Sequence, residues 1–312
     1  MKKTKLLNSE AKWGYGLVAP TIIGLLILNI WPFIQTLILS FTNAKKFGSY
    51  DFVGLTNYVR MFQSTEFWQA TWNSIYFCIL TVPVGIILAL LLAVFLNSKI
   101  KGKVVFRAIY FLPMVVAPVA VAMVWKWMFN SNYGIINDVL GLHIDWLTNP
   151  HLAIVSCAVV SIWSSVGYDA VLLLSGLQNV PKTLYEAADL DGATKIQQFF
   201  HVTLPMVSPT LFMVIIMRLM SSLKVYDIMY MMISESNPAL LDTQSLMYLF
   251  YRESFVIGSK GYGSAIVVWT VVLIGIVTAL QFWEPTVTST TYCGSGQACH
   301  NIACACCGRY AS

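Results

Sequence analysis

Two charges stand where the chain is otherwise oily: Asp169 in "SSVGYDAVLLL" and Arg218 in "FMVIIMRLMSS". A charge at mid-membrane costs about 2.5–3.5 kcal/mol on insertion scales, so such residues are rare, need a partner or water, and generally serve function. Two arrangements meet that need. Either the two pair or both line a solute path, or Asp169 sits in a polar crevice with Ser164, Ser165 and Tyr168 while Arg218 snorkels. Tyr226 and Asp227, in "SSLKVYD" shortly beyond Arg218, are further candidates for a path. Catalytic chemistry finds no footing. The sequence contains no G-x-x-x-x-G-K-[ST] phosphate loop, no H-E-x-x-H and no G-x-S-x-G, and His143, His151, His201 and His300 are scattered. The chain is read as non-catalytic, with no cofactor and no metal.

A second polar feature lies between two apolar runs, "EAADLDGATKIQQFFHVTLP", with three acids at Glu186, Asp189 and Asp191. Thr183 with Glu186 fits an S/T-x-x-E capping box, and Thr194 with Gln197 fits another. Gly192 is a natural left-handed stop. The spacing predicts two short helices joined at glycine, the second carrying Ile196, Phe199 and Phe200 on one face, with Leu204 and Pro205 at the approach to the next span. Helices under about 12–15 residues are marginal in water unless something packs on them. Ala187, Ala188, Gly192 and Ala193 offer a low surface for a partner. The alternative is a capped turn that only links two spans.

The elements that must position these residues are membrane helices. Of 312 residues, 57% are hydrophobic and only 11% charged, against about 25% charged in soluble domains. The net charge of +5 is spread out, with no basic patch interleaved with aromatics, so nucleic acid is no partner. Six stretches reach the roughly 20 residues needed to cross a bilayer: 15–39, 75–96, 108–129, 152–177, 204–223 and 263–283. Prolines interrupt several of them, at Pro20, Pro32, Pro83, Pro113, Pro118, Pro205 and Pro209. Lys2, Lys3, Lys5 and Lys12 precede the first span, and Lys99, Lys101, Lys103 and Arg107 follow the second. The positive-inside rule places both segments, both termini and the 178–203 loop in the cytoplasm.

The loop resembles the EAA motif of permease subunits in binding-protein-dependent ABC importers: E-A-A, a glycine four positions on, then I-x-L-P. Glu186, Ala187, Ala188, Gly192, Leu204 and Pro205 match, with Val202 in the isoleucine place. The longer "EAADLDGATKIQQFFHVTLPMVSP" is similar to the carbohydrate-importer branch. So are "FVGLTNYVRMF", "FRAIYFLPMVVAPVAVAMVWKWMF", "LSGLQNVPKTLYEAA", "SSLKVYD" and "GYGSAIVVW". The resemblance covers about residues 11–283. It implies an all-α polytopic fold with six transmembrane helices, the type I importer permease (MetI-like) architecture. It implies an anchor helix and outward-facing segment in 1–72 and a transport domain in 73–283 with its coupling loop at 181–205. The implied partners are a second, related permease, two cytoplasmic ATPase subunits, an extracellular solute-binding protein and the lipid bilayer of a bacterial plasma membrane. ATPase coupling falls to Glu186, Ala187, Ala188, Asp191, Gly192, Ala193, Phe199, Leu204 and Pro205.

The branch resemblance implies a sugar, a di- or oligosaccharide, as solute. A glycerol phosphate stays open because Arg218 would suit an anion, and an ion-gradient-driven secondary transporter is the competing class. Two segments depart from the family. "MISESNPALLDTQSL" has Ser236 and Asn237 where a glycine pair is usual, which puts that turn in doubt. The stretch from Glu284 onward gathers Cys293, Cys299, Cys304, Cys306 and Cys307 without two C-x₂₋₄-C pairs. It reads as a shifted frame or altered, disordered terminus, with a metal site as the alternative.

Overall fold

The computed structural model describes residues 2–45, 50–98 and 102–283, and among these the chain is helical with no strand. The helices are α1 (Lys2–Leu25), α2 (Trp31–Ser40), α3 (Thr56–Gln63), α4 (Thr65–Asn97) and α5 (Lys103–Val115). Next come α6 (Pro118–Met128), α7 (Ile135–Leu140), α8 (Pro150–Gln178), α9 (Lys182–Leu190) and α10 (Lys195–Gln198). The chain continues as α11 (Leu204–Leu223), α12 (Asp227–Met232), α13 (Leu240–Thr243), α14 (Leu246–Tyr251) and α15 (Lys260–Trp283). Wider π turns occupy Leu26–Ile30, Phe199–Thr203 and Arg252–Ile257. The cysteine-rich stretch after Trp283 lies outside the described residues, as do Lys99 and Lys101.

Among the described residues, five helical stretches are long and apolar enough to cross a membrane: Gly14–Ser40, Thr65–Asn97, Pro150–Gln178, Lys195–Leu223 and Lys260–Phe282. The sixth expected span, 108–129, is broken. Ala108–Val115 and Pro118–Met128 meet at 104°. The cause is local: Pro118 forces the residue before it out of the helical region, and Val116 and Ala117 are both extended, at ψ 138° and 130°. Counted as one bent span, the pair completes six.

The described residues divide into two compact units, those up to Trp72 with Gln244–Leu273, and those of Asn73–Thr243 with residues 274–283 of α15. In the first, the stretch Gly14–Ser40 turns most of its apolar side chains outward, Leu17 and Leu28 being 78% and 74% exposed. Phe62, Phe67, Trp68 and Trp269 pack together, mostly edge to face, and Glu66 pairs with Arg252 and accepts from Gln244.

In the second unit, α8 is the hub, packed against α5, α11, α12 and α13. Its start is fixed by Asn149, whose side chain accepts from the His151 N–H, and by Pro150 in the first turn. A core of Ala89, Ala93 and Leu96 from α4, Leu173, Leu174 and Leu177 from α8, and Val207 and Val214 from α11 joins three helices. Small residues let membrane helices approach closely. Gly176 faces the Thr210 side chain and Gly167 faces the Tyr110 carbonyl, so close that neither has room for a Cβ. The doubtful 232–246 turn is well formed. Asn237 donates to the Leu147 carbonyl (3.0 Å) and accepts from the Ala239 N–H (2.9 Å).

Gly167→Ala drives a methyl into backbone that cannot swing away, an overpacking that typically costs about 1–3 kcal/mol. We expect it to lower the melting temperature in detergent. Gly275→Ala, with nothing within 4 Å of the new methyl, should leave it unchanged.

Candidate functional site: a helical peg and a polar cavity

The peg is α9, nine residues long. Its first expected cap is absent. Pro181, at φ −60° and ψ 132°, is the N-cap residue, and no side chain caps the helix. Lys182 is then the first helical residue, which puts Thr183 inside the first turn, too late to cap it. The stop is as read: Gly192 sits at φ +73°, where a side chain would be strained. The second box is present, Thr194 accepting from the Gln197 N–H while Gln197 accepts from the Thr194 N–H (2.8 Å).

The second short helix is not separate. From Lys195 the chain runs through α10 and the π turn into α11 as one stretch to Leu223. Pro205 lies in the first turn of α11, where its missing N–H is tolerated. The Leu204 N–H reaches back five residues to Phe199. Phe199 and Phe200 meet edge to face at 5.1 Å.

Of the family-matched residues, Glu186, Ala187 and Ala188 lie on the peg, Gly192 just beyond it, and Leu204 and Pro205 in the first turn of α11. Glu186, Ala187, Asp191 and Gly192 are exposed, Ala188 and Ala193 half-buried. Ala188, Asp191, Gly192 and Ala193 help line a hollow of about 470 Å³, kept open by their short side chains. Leu190 stands 90% exposed and Ile196 72%, apolar surface left uncovered. Sequence reasoning missed what braces it. Tyr185 and Asp189 meet Thr203 and Gln198, and Lys195 bridges to Asp189 at 3.1 Å. The Gln198 and Lys195 hydrogen bonds hold the Asp189 carboxyl below its usual range. A lowered carboxyl favours the folded loop above the ordinary carboxylate range, and that contribution is lost as pH falls through the folded value.

The cavity, of about 420 Å³, brings together all four path candidates, Asp169, Arg218, Tyr226 and Asp227. Ser164, Ser165 and Tyr168 line it too, so the crevice and the pair are both present. Its wall includes Val116 and Pro118, so the broken span shapes it. Arg218 Nε lies 3.0 Å from Asp169 Oδ2, with side chains 8% and 3% exposed. The distance is that of an ion pair, yet neither atom makes an aligned hydrogen bond, nor does Arg218 Nη2. We read the contact as a charge pair held by packing. Gly85 on α4 leaves room for the guanidinium, whose Nη2 would lie 3.4 Å from a Cβ there. Arg218 is therefore buried, not snorkelling. A larger hollow of about 530 Å³, around Trp127 and residues 131–143, contains none of the candidates.

Residues 81–283 match the family described as "Binding-protein-dependent transport system inner membrane component". The chain belongs to this family. Among relatives, it is 34% identical to the trehalose/maltose transport system permease protein MalF of Thermococcus litoralis, over 87% of this chain and 92% of that one. It is 32% identical to the arabinooligosaccharides transport system permease protein AraP of Halalkalibacterium halodurans, over 88% of each. A bacterial alginate ABC transporter, crystallised with an alginate-pentasaccharide-bound periplasmic protein, has the same fold. That likeness has a TM-score of 0.78 at 22% identity, over 88% of this chain and 93% of that one. This inner membrane component is a multi-pass membrane protein with the type I importer permease fold.

Removing one partner of a buried ion pair strands the other, at about 3–5 kcal/mol. We expect Arg218→Gln and Asp169→Asn each to lower the melting temperature in detergent. The double variant should lie nearer the parent than the sum of the two losses.

Proposed function

We propose that this chain is one of two related permease subunits that enclose the path of an ATP-driven importer for a sugar, a di- or oligosaccharide. Two ATPase subunits dock below and a solute-binding protein delivers from outside. In this reading residues 73–283 are the transport domain and residues 1–72 an anchor helix with an outward-facing segment. The termini and α9 face the cytoplasm, consistent with the lysines before the first span and after the second. Relatives named for trehalose/maltose and arabinooligosaccharide transport support a sugar.

The observation that carries this reading is the placing of the peg. It leaves the end of α8 and returns into the foot of α11, the helices that bring Asp169 and Arg218 to the cavity. A load applied to α9 reaches both walls through at most a few residues of loop. When the ATPases close on ATP, each draws on such a peg and the spans rock between inward-facing and outward-facing. Shifting an equilibrium from 1:99 to 99:1 takes about 5.5 kcal/mol of differential binding, which a docked helix can deliver. Exposed Leu190 and Ile196, with the small-residue hollow, are the surface offered to the ATPase.

The cavity's charge supports an uncharged, hydroxyl-rich solute. Asp169 and Asp227 face Arg218 and Lys224, two acids against two bases, and Arg218 is already paired. That balance disfavours a glycerol phosphate.

In proteoliposomes of the full complex, uptake should stop without ATP and persist when the proton gradient is collapsed. The reverse pattern indicates a secondary transporter. Ala188→Trp, which fills the hollow, should cut uptake at least tenfold while helix content stays unchanged. Undiminished uptake contradicts the docking role.

A further inference from the structure

The π turn between α10 and α11 needs a reason, and the contacts of α9 supply one. Tyr185 and Asp189 are four apart and lie on one face of α9. Their partners, Thr203 and Gln198, are five apart. On an α-helix, positions five apart point about 140° away from each other. With one residue absorbed in a π turn, they behave like an i, i+4 pair, about 40° apart. Phe199–Thr203 is that turn. It brings Gln198 and Thr203 under the same face of α9, so two rungs form in place of one.

Both rungs are well supported. Gln198 is 3% exposed. Its Nε2 donates to Asp189 Oδ1 and to the Ala193 carbonyl (3.2 Å), and its Oε1 accepts from Lys195 Nζ (3.1 Å). Thr203 is buried, donates to the Gln198 carbonyl (3.3 Å) and shares a hydrogen bond with the Tyr185 hydroxyl (2.9 Å). Tyr185, Asp189, Gln198 and Thr203 are not among the positions that the E-A-A, glycine and I-x-L-P pattern specifies.

We propose that Gln198 and Thr203, set in register by the π turn, are positioning residues that bolt α9 to the foot of α11. A displacement of the peg then moves the span as one body. The proposal rests on the coupling reading above and adds which side chains carry the load. Without the rungs, α9 would hang from two loops and an ATPase could move it without moving the span.

The test is ATP hydrolysed per solute imported, measured on the full complex in proteoliposomes. Gln198→Met with Tyr185→Phe keeps volume and removes both rungs. It should preserve assembly and ATPase rate while raising ATP per solute at least fivefold. Asp189→Asn, which keeps the acceptor, should stay within twofold of the parent, whereas Asp189→Leu should uncouple. If the double variant assembles poorly, the isosteric Thr203→Val and Tyr185→Phe serve singly; each removes the Tyr185–Thr203 rung and leaves the other, so both should raise the ratio, by less than the double variant. An unchanged ratio in these variants, with Ala188→Trp still blocking uptake, overturns the rungs and leaves the coupling reading standing. Undiminished uptake in Ala188→Trp itself overturns both.

Discussion

A nine-residue helix does not hold its shape alone in water, and the mechanics of this chain depend on what holds α9. Its N-terminus has no side-chain cap. Its C-terminus turns at a glycine that imposes direction but no strength. The remaining restraint is lateral, through Tyr185 and Asp189 onto the foot of α11. The Lys195–Asp189 bridge adds little, being open to solvent. The buried amide of Gln198 and the buried hydroxyl of Thr203 matter more, because a buried polar group stripped of its partner loses its hydrogen bond with no water to replace it.

The same accounting governs the upper part of the helix. In the bilayer, polar groups must find partners inside the protein. Arg218 and Asp169 do so across α11 and α8, in space that Gly85 on α4 leaves free. Their contact lacks aligned hydrogen bonds, so packing carries the geometry. The core of alanine, leucine and valine from α4, α8 and α11 is the device that does it. Pro118 supplies the remaining wall by bending its span away. Peg and cavity are thus joined by one pair of helices, α8 and α11, which share an apolar core with α4.

How much of this was legible in the sequence follows from the range of the forces involved. The spans were readable because twenty apolar residues are a local, compositional fact. The bend at Val116–Ala117 was readable in principle from Pro118, yet a continuous apolar run concealed it. The Thr194 box formed where its spacing predicted. The Thr183 box failed because Pro181 starts the helix early, and a pattern of two residues does not report where a helix begins. Pro205 looked like a boundary between two helices. It sits inside one, since a proline in the first turn of α11 costs no hydrogen bond that the π turn has not already rerouted. The π turn was illegible, being selected by the partners on α9. The Asp169–Arg218 pair was one of two open arrangements, decided by how α8 crosses α11.

The central claim is that α9 and α11 form one body. Spin labels at Leu190 on α9 and Met213 on α11, both exposed, allow the separation to be measured by pulsed electron paramagnetic resonance in a complex shown to cycle. The account predicts the same narrow distance distribution without nucleotide and with ATP held unhydrolysed. A distribution that shifts or broadens when ATP binds means that the peg moves apart from its span, and contradicts it.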